Sequence, residues 1–263
     1  MHTATDSALL LEALDVAIPG TVLVKQLDLV IQPGERLAIM GRNGAGKSLT
    51  LRTMAGLRAP ASGTVTLEGT PLVSLERRSI ARRLALLPQE ALHDFPELAI
   101  ERVLSGRHPH IDRWQWESQS DIEIARAALE TMGIAALAGR DTASLSGGEQ
   151  QRLALAQILV QQPVFYLLDE PTNHLDLRHQ HLVLDHFGNL AKKGAAIVMS
   201  LHDVNLAAKF ADRFLLLFGD GSWLYGDART ALTESSLTRL LDIPVTTISN
   251  SHGQSAFVAG SVH

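Results

Sequence analysis

The segment from Gly41 to Ser48 combines the residue types and the spacing that cradle phosphate groups in proteins. Its glycines let the backbone curl so that successive amide groups point at one anion, and the helix predicted to begin near Lys47 adds the positive end of its dipole. Lys47 can reach the outer phosphates of a nucleotide, and the Ser48 hydroxyl can bind Mg²⁺. A Gly-rich turn could contain Lys-Ser by chance, but this segment lies between a predicted strand and a predicted helix, as a phosphate loop must.

Three polar side chains follow two apolar segments further along the chain. Asp169 and Glu170 come directly after the predicted strand from Val164 to Leu168, and His202 follows the predicted strand from Ala196 to Leu201. Such residues are often only solvated or structural when they stand alone. The carboxyl ends of parallel strands meet at one edge of a sheet, however, so we expect these groups to face the phosphate loop. There, one carboxylate can hold Mg²⁺, another can polarise a water, and an imidazole can bond a terminal phosphate.

The elements that must position these groups alternate between strands and helices. A short apolar strand from Arg36 to Met40 precedes the phosphate loop, and a helix is predicted after it from Ser48 to Leu57. Apolar residues recur at helical spacing from Ser120 to Gly133 and from Glu149 to Gln162. Strands that are apolar throughout are typical of a parallel sheet covered on both faces. The pattern therefore predicts an α/β fold with an inserted helical segment.

Composition narrows the class of protein. The 263 residues include 23 Lys plus Arg and 28 Asp plus Glu, for a net charge of −5, which disfavours a protein that mainly binds nucleic acid. The chain has no cysteine, and this excludes disulfides, thiolate nucleophiles and cysteine-ligated metals. Because no apolar run reaches about 18 residues and residues 1–7 do not resemble a signal peptide, we expect a soluble intracellular protein.

The segment Leu145–Arg152, LSGGEQQR, resembles the signature motif of the ABC-type ATPases. Further segments resemble the other motifs of that family in the expected order: the phosphate loop at Gly41–Ser48, the Q-loop at Pro88–Gln89, Walker B with its adjacent glutamate at Phe165–Glu170, the D-loop at Asn173–Asp176 and the switch-histidine region at Ser200–Asp203. So many ordered matches are not expected by chance. The resemblance extends over nearly the whole chain, up to about Pro244.

The resemblance implies a fold and a division of the chain. The fold is the P-loop NTPase fold of the α/β class, with a mostly parallel core sheet, an N-terminal antiparallel β region and an inserted α-helical subdomain. We expect residues 1–263 to form a single ABC ATPase domain. Its core would comprise about 1–89 and 163–243, its helical subdomain about 90–162, and its C-terminal tail 244–263, which we predict to be a strand with a mobile end.

The resemblance also assigns roles to the motif residues. It implies that ATP binds at the phosphate loop and that Ser48, Gln89 and Asp169 arrange Mg²⁺. Glu170 would polarise the attacking water, His202 would position the γ-phosphate, and Gln89 would also sense that phosphate as a catalytic residue. The nucleotide-binding residues implied in this way are Gly41, Arg42, Asn43, Gly44, Ala45, Gly46, Lys47, Ser48, Leu49, Ser146, Gly147, Gly148 and Glu149.

The signature motif implies a second copy of the chain. In the family, ATP lies between the phosphate loop of one subunit and the signature of the other, in a head-to-tail homodimer. Ser146, Gly147 and Gly148 lead into the helix predicted at Glu149, so they offer a hydroxyl, backbone amides and a helix N-terminus to an anion. By itself this segment would be an ordinary helix cap. Its place among the other motifs favours the ligand role.

One position departs from the family pattern. Members usually carry an aromatic residue before the phosphate loop that stacks on adenine, whereas Ile18 occupies the matching position in this chain. We expect an apolar contact from Ile18 to hold the base less tightly and to discriminate poorly between ATP and GTP.

The segment Val103–His110 resembles the Gly-Arg-x-Pro segment of importer ATPases for iron–siderophore, haem and cobalamin. This resemblance implies a peripheral subunit at the cytoplasmic face of the inner membrane. Its expected partners are integral-membrane permease subunits and, indirectly, a substrate-binding protein, with no nucleic acid. The alternative is a soluble non-transport ABC ATPase that acts on ribosomes or DNA. Such proteins commonly carry two motif sets or a long coiled insertion, and this chain has neither.

Overall fold

The structure is a computed structural model that describes residues 7–89, 96–112, 114–249 and 255–260. Its strands are β1 (Leu9–Ile18), β2 (Thr21–Ile31), β3 (Arg36–Gly41), β4 (Ser62–Leu67), β5 (Thr70–Pro71), β6 (Leu84–Leu87), β7 (Phe165–Asp169), β8 (Ala196–Ser200), β9 (Arg213–Leu217), β10 (Trp223–Gly226), β11 (Val245–Ser249) and β12 (Ser255–Ala259).

Helices connect these strands. They are α1 (Lys47–Met54), α2 (Arg77–Arg83), α3 (Ala99–Ser105), α4 (Gln119–Thr131), α5 (Gly147–Gln161), α6 (Leu177–Lys192), α7 (Val204–Phe210), α8 (Ala228–Ala231) and α9 (Glu234–Leu241), with short 3₁₀ turns at Leu72–Ser74, Ala135–Leu137 and Thr142–Ser144. Among the described residues, no helix has both the length and the apolar character that a membrane crossing requires.

The central sheet has the strand order β10-β9-β3-β8-β7-β6. All neighbours pair in parallel except β10, which runs antiparallel to β9. Strands β7 and β8 are buried along their whole length. Alternate residues of β7 belong to two different apolar clusters: Tyr166 and Leu168 pack with the helices α4 to α7, and Phe165 and Leu167 pack with α1 and the N-terminal strands. This two-sided cover explains why these strands are apolar throughout.

A second, antiparallel sheet lies on the α1 side of the central sheet. Its order is β2-β1-β4-β5. Leu9 and Leu11 of β1 are fully buried in one cluster with Leu37 and Ile39 of β3. The two sheets therefore share a core, and the phosphate loop at the end of β3 lies between them. The predicted fold class, with its parallel core sheet, antiparallel N-terminal region and helical insertion, is confirmed.

Helices α3, α4 and α5 form the inserted helical part, and a buried ion pair holds them together. Gly106 follows α3 and lies so close to α5 that a Cβ atom on it would be 2.2 Å from the Gln157 carbonyl oxygen. The buried Arg107 donates from Nε to Asp121 Oδ1 at 2.8 Å and from a terminal nitrogen to the Val160 carbonyl oxygen, also at 2.8 Å. One side chain of the predicted importer segment thus fixes the packing of all three helices.

The secondary structure of the C-terminal segment differs from the one predicted from the sequence. A strand with a mobile end was expected, whereas the structure pairs β11 and β12 in an antiparallel hairpin. Residues 250–254 and 261–263 lie outside the described residues. The hairpin contacts α7, where Asn205 donates to the Phe257 carbonyl oxygen at 3.0 Å and accepts from the Phe257 amide at 2.8 Å. These long-range contacts stabilise the second strand. The local sequence pattern does not predict them.

Two helices begin or end at residues other than those predicted. The helix after the phosphate loop ends at Met54 rather than Leu57, because Gly56 adopts a left-handed conformation with φ of +65°. The signature helix begins at Gly147, two residues earlier than predicted, because Ser146 is its N-cap. The division of the chain into core, helical subdomain and tail stays a prediction.

The ion pair inside the helical part generates a pH prediction. Hydrogen bonds from Ser118 and Arg107 lower the pKa of Asp121 from 3.8 to about 2. A lowered folded-state pKa means that the carboxylate stabilises the fold above pH 3.8 and that this contribution disappears as the pH falls toward 2. Asp121→Asn should therefore lower the free energy of unfolding by about 1 to 2 kcal/mol at pH 7.

Urea unfolding followed by circular dichroism measures this effect. The difference between the original chain and Asp121→Asn should shrink between pH 4 and pH 2. Asp112→Asn is the control, because the Asp112 carboxylate is exposed and forms its ion pair with Arg78 at the surface. A difference that stays constant with pH would show that Asp121 acts through packing and not through its charge.

Candidate functional site

Three strands of the central sheet end at one edge and bring the predicted residues together. β3 ends at Gly41, where the phosphate loop begins, and β7 ends at Asp169. β8 lies between them and leads through Ser200 to His202. The expectation that these strand ends converge is confirmed, because β8 pairs in parallel with both β3 and β7.

The phosphate loop is curled around its own lysine. Gly44 and Gly46 have φ values of +82° and +103°, which only glycine adopts without strain. Lys47 is 5% exposed, and its Nζ donates to the Gly41 carbonyl oxygen at 2.9 Å. Burial lowers the pKa of the Lys47 ammonium, although the nearby carboxylates of Glu170 and Asp169 oppose that shift. The loop therefore holds a partly desolvated positive charge at the start of α1.

A cavity of about 330 Å³ opens above this loop. Its lining includes predicted residues from the loop, the Q-loop, Walker B and the switch region, namely Arg42, Asn43, Gly44, Gly46, Lys47, Ser48, Leu49, Gln89, Glu170 and His202. Three predicted residues of this region do not line the cavity. Gly41 ends β3, Ala45 is buried beside Gly219, and Asp169 is buried beneath the strand end.

Three polar side chains around the cavity form hydrogen bonds with the Glu170 carboxylate. This residue is buried, and its backbone has a φ of +49°, a left-handed conformation that is uncommon outside glycine. Its Oε2 atom accepts from Gln89 Nε2 at 3.0 Å and from Asn173 Nδ2, and its Oε1 atom bonds His202 Nε2. The two predicted catalytic partners, Gln89 and His202, thus meet at the one carboxylate expected to act on water.

Asp169 has a different partner. Its carboxylate is 2% exposed, and its Oδ1 atom accepts from Ser200 Oγ at 2.6 Å. The same Ser200 oxygen accepts from the Glu170 amide at 2.8 Å. The two neighbouring carboxylates therefore point in different directions, one toward β8 and one toward the cavity.

The signature segment begins helix α5. Ser146 is the N-cap, and its amide and hydroxyl donate to Glu149 Oε2 at 2.8 and 2.7 Å. These bonds lower the pKa of the Glu149 carboxyl. Gly148 lies against the D-loop, where a Cβ atom on it would be 2.9 Å from the His174 carbonyl oxygen. The signature and D-loop motifs, which lie more than twenty residues apart in the sequence, are packed together.

The signature does not reach the phosphate loop of its own chain. None of its predicted ligands, Ser146 to Glu149, is among the described residues that line the 330 Å³ cavity. Ser146 and Gly147 are exposed to solvent. One chain therefore brings together only part of the predicted nucleotide site, and the signature part faces outward.

Ile18 lies apart from the cavity lining. It ends β1 and is 41% exposed. The following strand, β2, does contact the phosphate loop, since a Cβ atom on Gly46 would be 3.2 Å from the Leu23 Cβ. Whether the base of a nucleotide contacts Ile18 stays a prediction.

Sequence reasoning missed three residues of this region. Asn173 bonds Glu170, Ser200 bonds Asp169, and Gln151 of α5 donates from Nε2 to the Pro171 carbonyl oxygen at 3.0 Å. All three lie inside segments that resemble family motifs, so their position was a signal. Their partners were not predicted: those of Ser200 and Gln151 are distant in sequence, and the bond from Asn173 to Glu170 depends on the turn that follows β7.

The side chains present fit a nucleotide with a divalent cation. Mg²⁺ prefers oxygen ligands, and the Ser48 hydroxyl, the Asp169 carboxylate and the Gln89 amide supply oxygens. The curled loop and the N-terminus of α1 present backbone amides and a buried ammonium group to an anion. This is the chemistry of a phosphate site.

The sequence of this chain is similar to those of one known protein family. A family model described as ABC transporter matches residues 24–173. The hemin import ATP-binding protein HmuV of Myxococcus xanthus (strain DK1622) is 45% identical over 198 residues, which cover 73% of each chain. HmuV of Burkholderia ambifaria is 39% identical over 259 residues, covering 91% of this chain and 95% of the relative. The cobalamin import ATP-binding protein BtuD of Halobacterium salinarum is 36% identical over 233 residues, covering 88% and 58%.

The fold of this chain is also similar to those of solved structures from ABC transporters. A chain of a transporter assigned to the metal-chelate type, in an inward-facing conformation, matches with a TM-score of 0.83 and 28% identity over 97% of this chain and 98% of that chain. The dimeric ATP-binding cassette MJ0796, bound to ADP and phosphate after hydrolysis, matches with a TM-score of 0.73 and 25% identity over 83% and 98%.

The packing of the signature on the D-loop can be tested with its two glycines. Gly148→Ala should lower the free energy of unfolding by about 1 to 3 kcal/mol, because the added methyl group meets a backbone carbonyl that cannot swing away. Gly147→Ala is the matched control, since its Cβ would lie 3.8 Å from the nearest atoms, in ordinary contact. Thermal unfolding without nucleotide measures both. Equal stability of the two variants would contradict the packing described above.

Proposed function

This chain belongs to the ABC transporter family, and from that membership we propose that it is the ATP-binding and ATP-hydrolysing subunit of an importer for a metal chelate of the haem or cobalamin kind. The observation that carries the proposal is the convergence of Lys47, Glu170 and His202 on one cavity above a phosphate loop. The names of the relatives support the kind of cargo. The cargo itself would be chosen by other chains.

The phosphate loop, Glu170 and His202 have different tasks in the proposed reaction. The amides of the phosphate loop and the Lys47 ammonium bind the β- and γ-phosphates of ATP. Glu170 accepts a hydrogen bond from the attacking water, and His202 donates to the γ-phosphate. In the structure His202 bonds Glu170 directly, so the imidazole already lies beside the position where water must attack. Positioning and neutralisation of charge supply most of the rate.

The proposed metal site uses oxygens from three motifs. Ser48, Asp169 and Gln89 would hold Mg²⁺. When bound, the cation would neutralise charge on the β- and γ-phosphates. Burial of Asp169 and its bond to Ser200 keep that carboxylate in one orientation.

The outward-facing signature supports a head-to-tail homodimer as the active form. In such a dimer, Ser146 to Glu149 of one chain would cover the phosphate loop of the other. ABC ATPases dimerise, as the cassette bound to ADP and phosphate does. The exposure of Ser146 and Gly147 leaves these groups accessible to a second copy.

A groove between the core and the helical part is the proposed docking surface for the permease. It has a volume of about 620 Å³ and is lined by apolar side chains that include Leu57, Pro109 and Ile158. Leu57 is 63% exposed and adjoins the other apolar side chains of this groove, so it forms part of a contiguous apolar surface. A helix of a permease loop would cover these side chains. Docking of this kind would put the chain at the cytoplasmic face of the membrane, as the proposed function requires.

Glu170→Gln tests the catalytic assignment. The amide keeps the size of the side chain but accepts a water proton poorly, so turnover should fall by about two to four orders of magnitude while MgATP still binds. Steady-state ATPase assays and nucleotide binding on the same preparation measure the two effects. Glu130→Gln, an exposed substitution on α4, is the control. Near-normal turnover of Glu170→Gln would remove this residue from its proposed role.

The same variant identifies the partner. Tagged Glu170→Gln should hold the ATP-bound dimer, and its purification from solubilised membranes with MgATP should recover a polytopic membrane protein. Recovery of ribosomes or of soluble proteins alone, from a variant shown to bind ATP, would contradict the importer assignment. It would leave the ATPase assignment in place.

The position of Ile18 generates a prediction about nucleotide choice. Without an aromatic ring at this position, the nucleotide should be bound mainly through its phosphates. Because ATP and GTP have the same phosphates, their Michaelis constants should be comparable. Ile18→Tyr should lower the constant for ATP by up to about tenfold, because a stacked aromatic contact contributes about 0.5 to 1.5 kcal/mol. Ile18→Leu is the control. A strong preference of the original chain for ATP would contradict this prediction.

A further inference from the structure

Ser200 is a fully buried hydroxyl at the end of an otherwise apolar strand. It closes β8, whose sequence is AIVMS, and its relative exposure is 0%. In the parallel register of β7 and β8 it lies directly opposite Asp169. Placing a polar group there is unfavourable unless its hydrogen bonds are satisfied. Ser200 therefore needs partners, and the structure provides two.

Both partners belong to the residues proposed to carry out hydrolysis. Ser200 Oγ donates its proton to Asp169 Oδ1 at 2.6 Å, and the same oxygen accepts the amide proton of Glu170 at 2.8 Å. A hydroxyl that donates to a carboxylate forms one of the stronger hydrogen bonds in proteins. One side chain thus fixes the orientation of the Asp169 carboxylate and the position of the Glu170 backbone.

The second bond bears on the conformation of Glu170. A φ of +49° is costly for a residue with a side chain, and such a conformation persists only where the surroundings hold it. The Ser200 oxygen holds the amide of that residue. In the resulting turn the Glu170 carboxylate reaches Gln89 and His202 at the cavity instead of continuing along the line of β7.

We propose that Ser200 is a positioning residue for ATP hydrolysis. It bonds Asp169 Oδ1 and so orients the carboxylate that is proposed to bind Mg²⁺, and it holds Glu170 in the turn that presents its carboxylate to the cavity. This inference rests on the proposed function. Ser200 is not among the described residues that line the cavity, so we expect it to act through its two partners.

Three substitutions separate the hydroxyl from the packing. Ser200→Ala removes it without adding volume. Ser200→Thr and Ser200→Val have nearly the same size, and only threonine keeps a hydroxyl, so any overpacking in this buried position affects both alike. Ser120→Ala, an exposed serine on α4, is the control and should behave as the original chain does.

The expected result is a loss of turnover without a loss of nucleotide binding. At saturating MgATP, kcat of Ser200→Ala and Ser200→Val should fall by about 10- to 100-fold, as removal of a hydrogen bond to a charged group predicts. Ser200→Thr should exceed Ser200→Val by about tenfold or more. ATP binding without a divalent cation should change less than about threefold in all variants. Affinity for Mn²⁺ in the presence of ADP, measured by electron paramagnetic resonance, should fall in the alanine and valine variants.

Three outcomes would overturn the proposal. A kcat of Ser200→Ala within threefold of the original would do so, and so would equal kcat values for the threonine and valine variants. A parallel loss of metal-free ATP binding would instead assign Ser200 a general structural role. Failure of the original chain to bind or hydrolyse ATP would overturn the proposed function itself, whereas an active original chain with an active Ser200→Ala would overturn only the role of Ser200.

Discussion

The burial of one ammonium group and two carboxylates at the edge of the central sheet is the constraint on which the site depends. Lys47, Asp169 and Glu170 are all nearly inaccessible to water. Buried charges are destabilising unless they are paired or hydrogen-bonded, so Asp169 requires Ser200 and Glu170 requires His202. Burial still lowers the pKa of Lys47 despite the two carboxylates. A phosphate group in the loop would therefore add a negatively charged partner to the Gly41 carbonyl oxygen that Lys47 Nζ already bonds.

The two-sided core of the sheet makes this arrangement possible. Alternate residues of β7 face the antiparallel sheet and the helical layer, so both sides of the strand end exclude water. Hydrogen bonds to carboxylates are stronger in such surroundings, and an unpaired polar group there is correspondingly expensive. The same apolar strands that identify the fold in the sequence therefore set the electrostatics of the site at their carboxyl ends.

The parts of the site that could be predicted are those encoded by contiguous residues. The phosphate loop requires glycines at fixed spacing, and Asp169, Glu170 and His202 follow apolar strands whose ends must meet in a parallel sheet. The role of Ser200 could not be predicted, because it depends on the register that places Ser200 opposite Asp169. The left-handed conformation of Glu170 could not be predicted either, since a glutamate gives no local signal for it.

Helix α5 connects the two surfaces that the proposed transporter needs. Its 15 residues form a rod about 22 Å long. The outward-facing signature is at one end, and near the other end Ile158 lines the groove proposed for the permease. Between them, Gln151 bonds the Pro171 carbonyl beside Glu170. The groove, the contact beside Glu170 and the signature therefore belong to one packed helix, which would move as a unit if the helical part moved. Cargo movement and the assembly of the two-chain nucleotide site would therefore be coupled through a single element, whose position Arg107 fixes against the rest of the helical part.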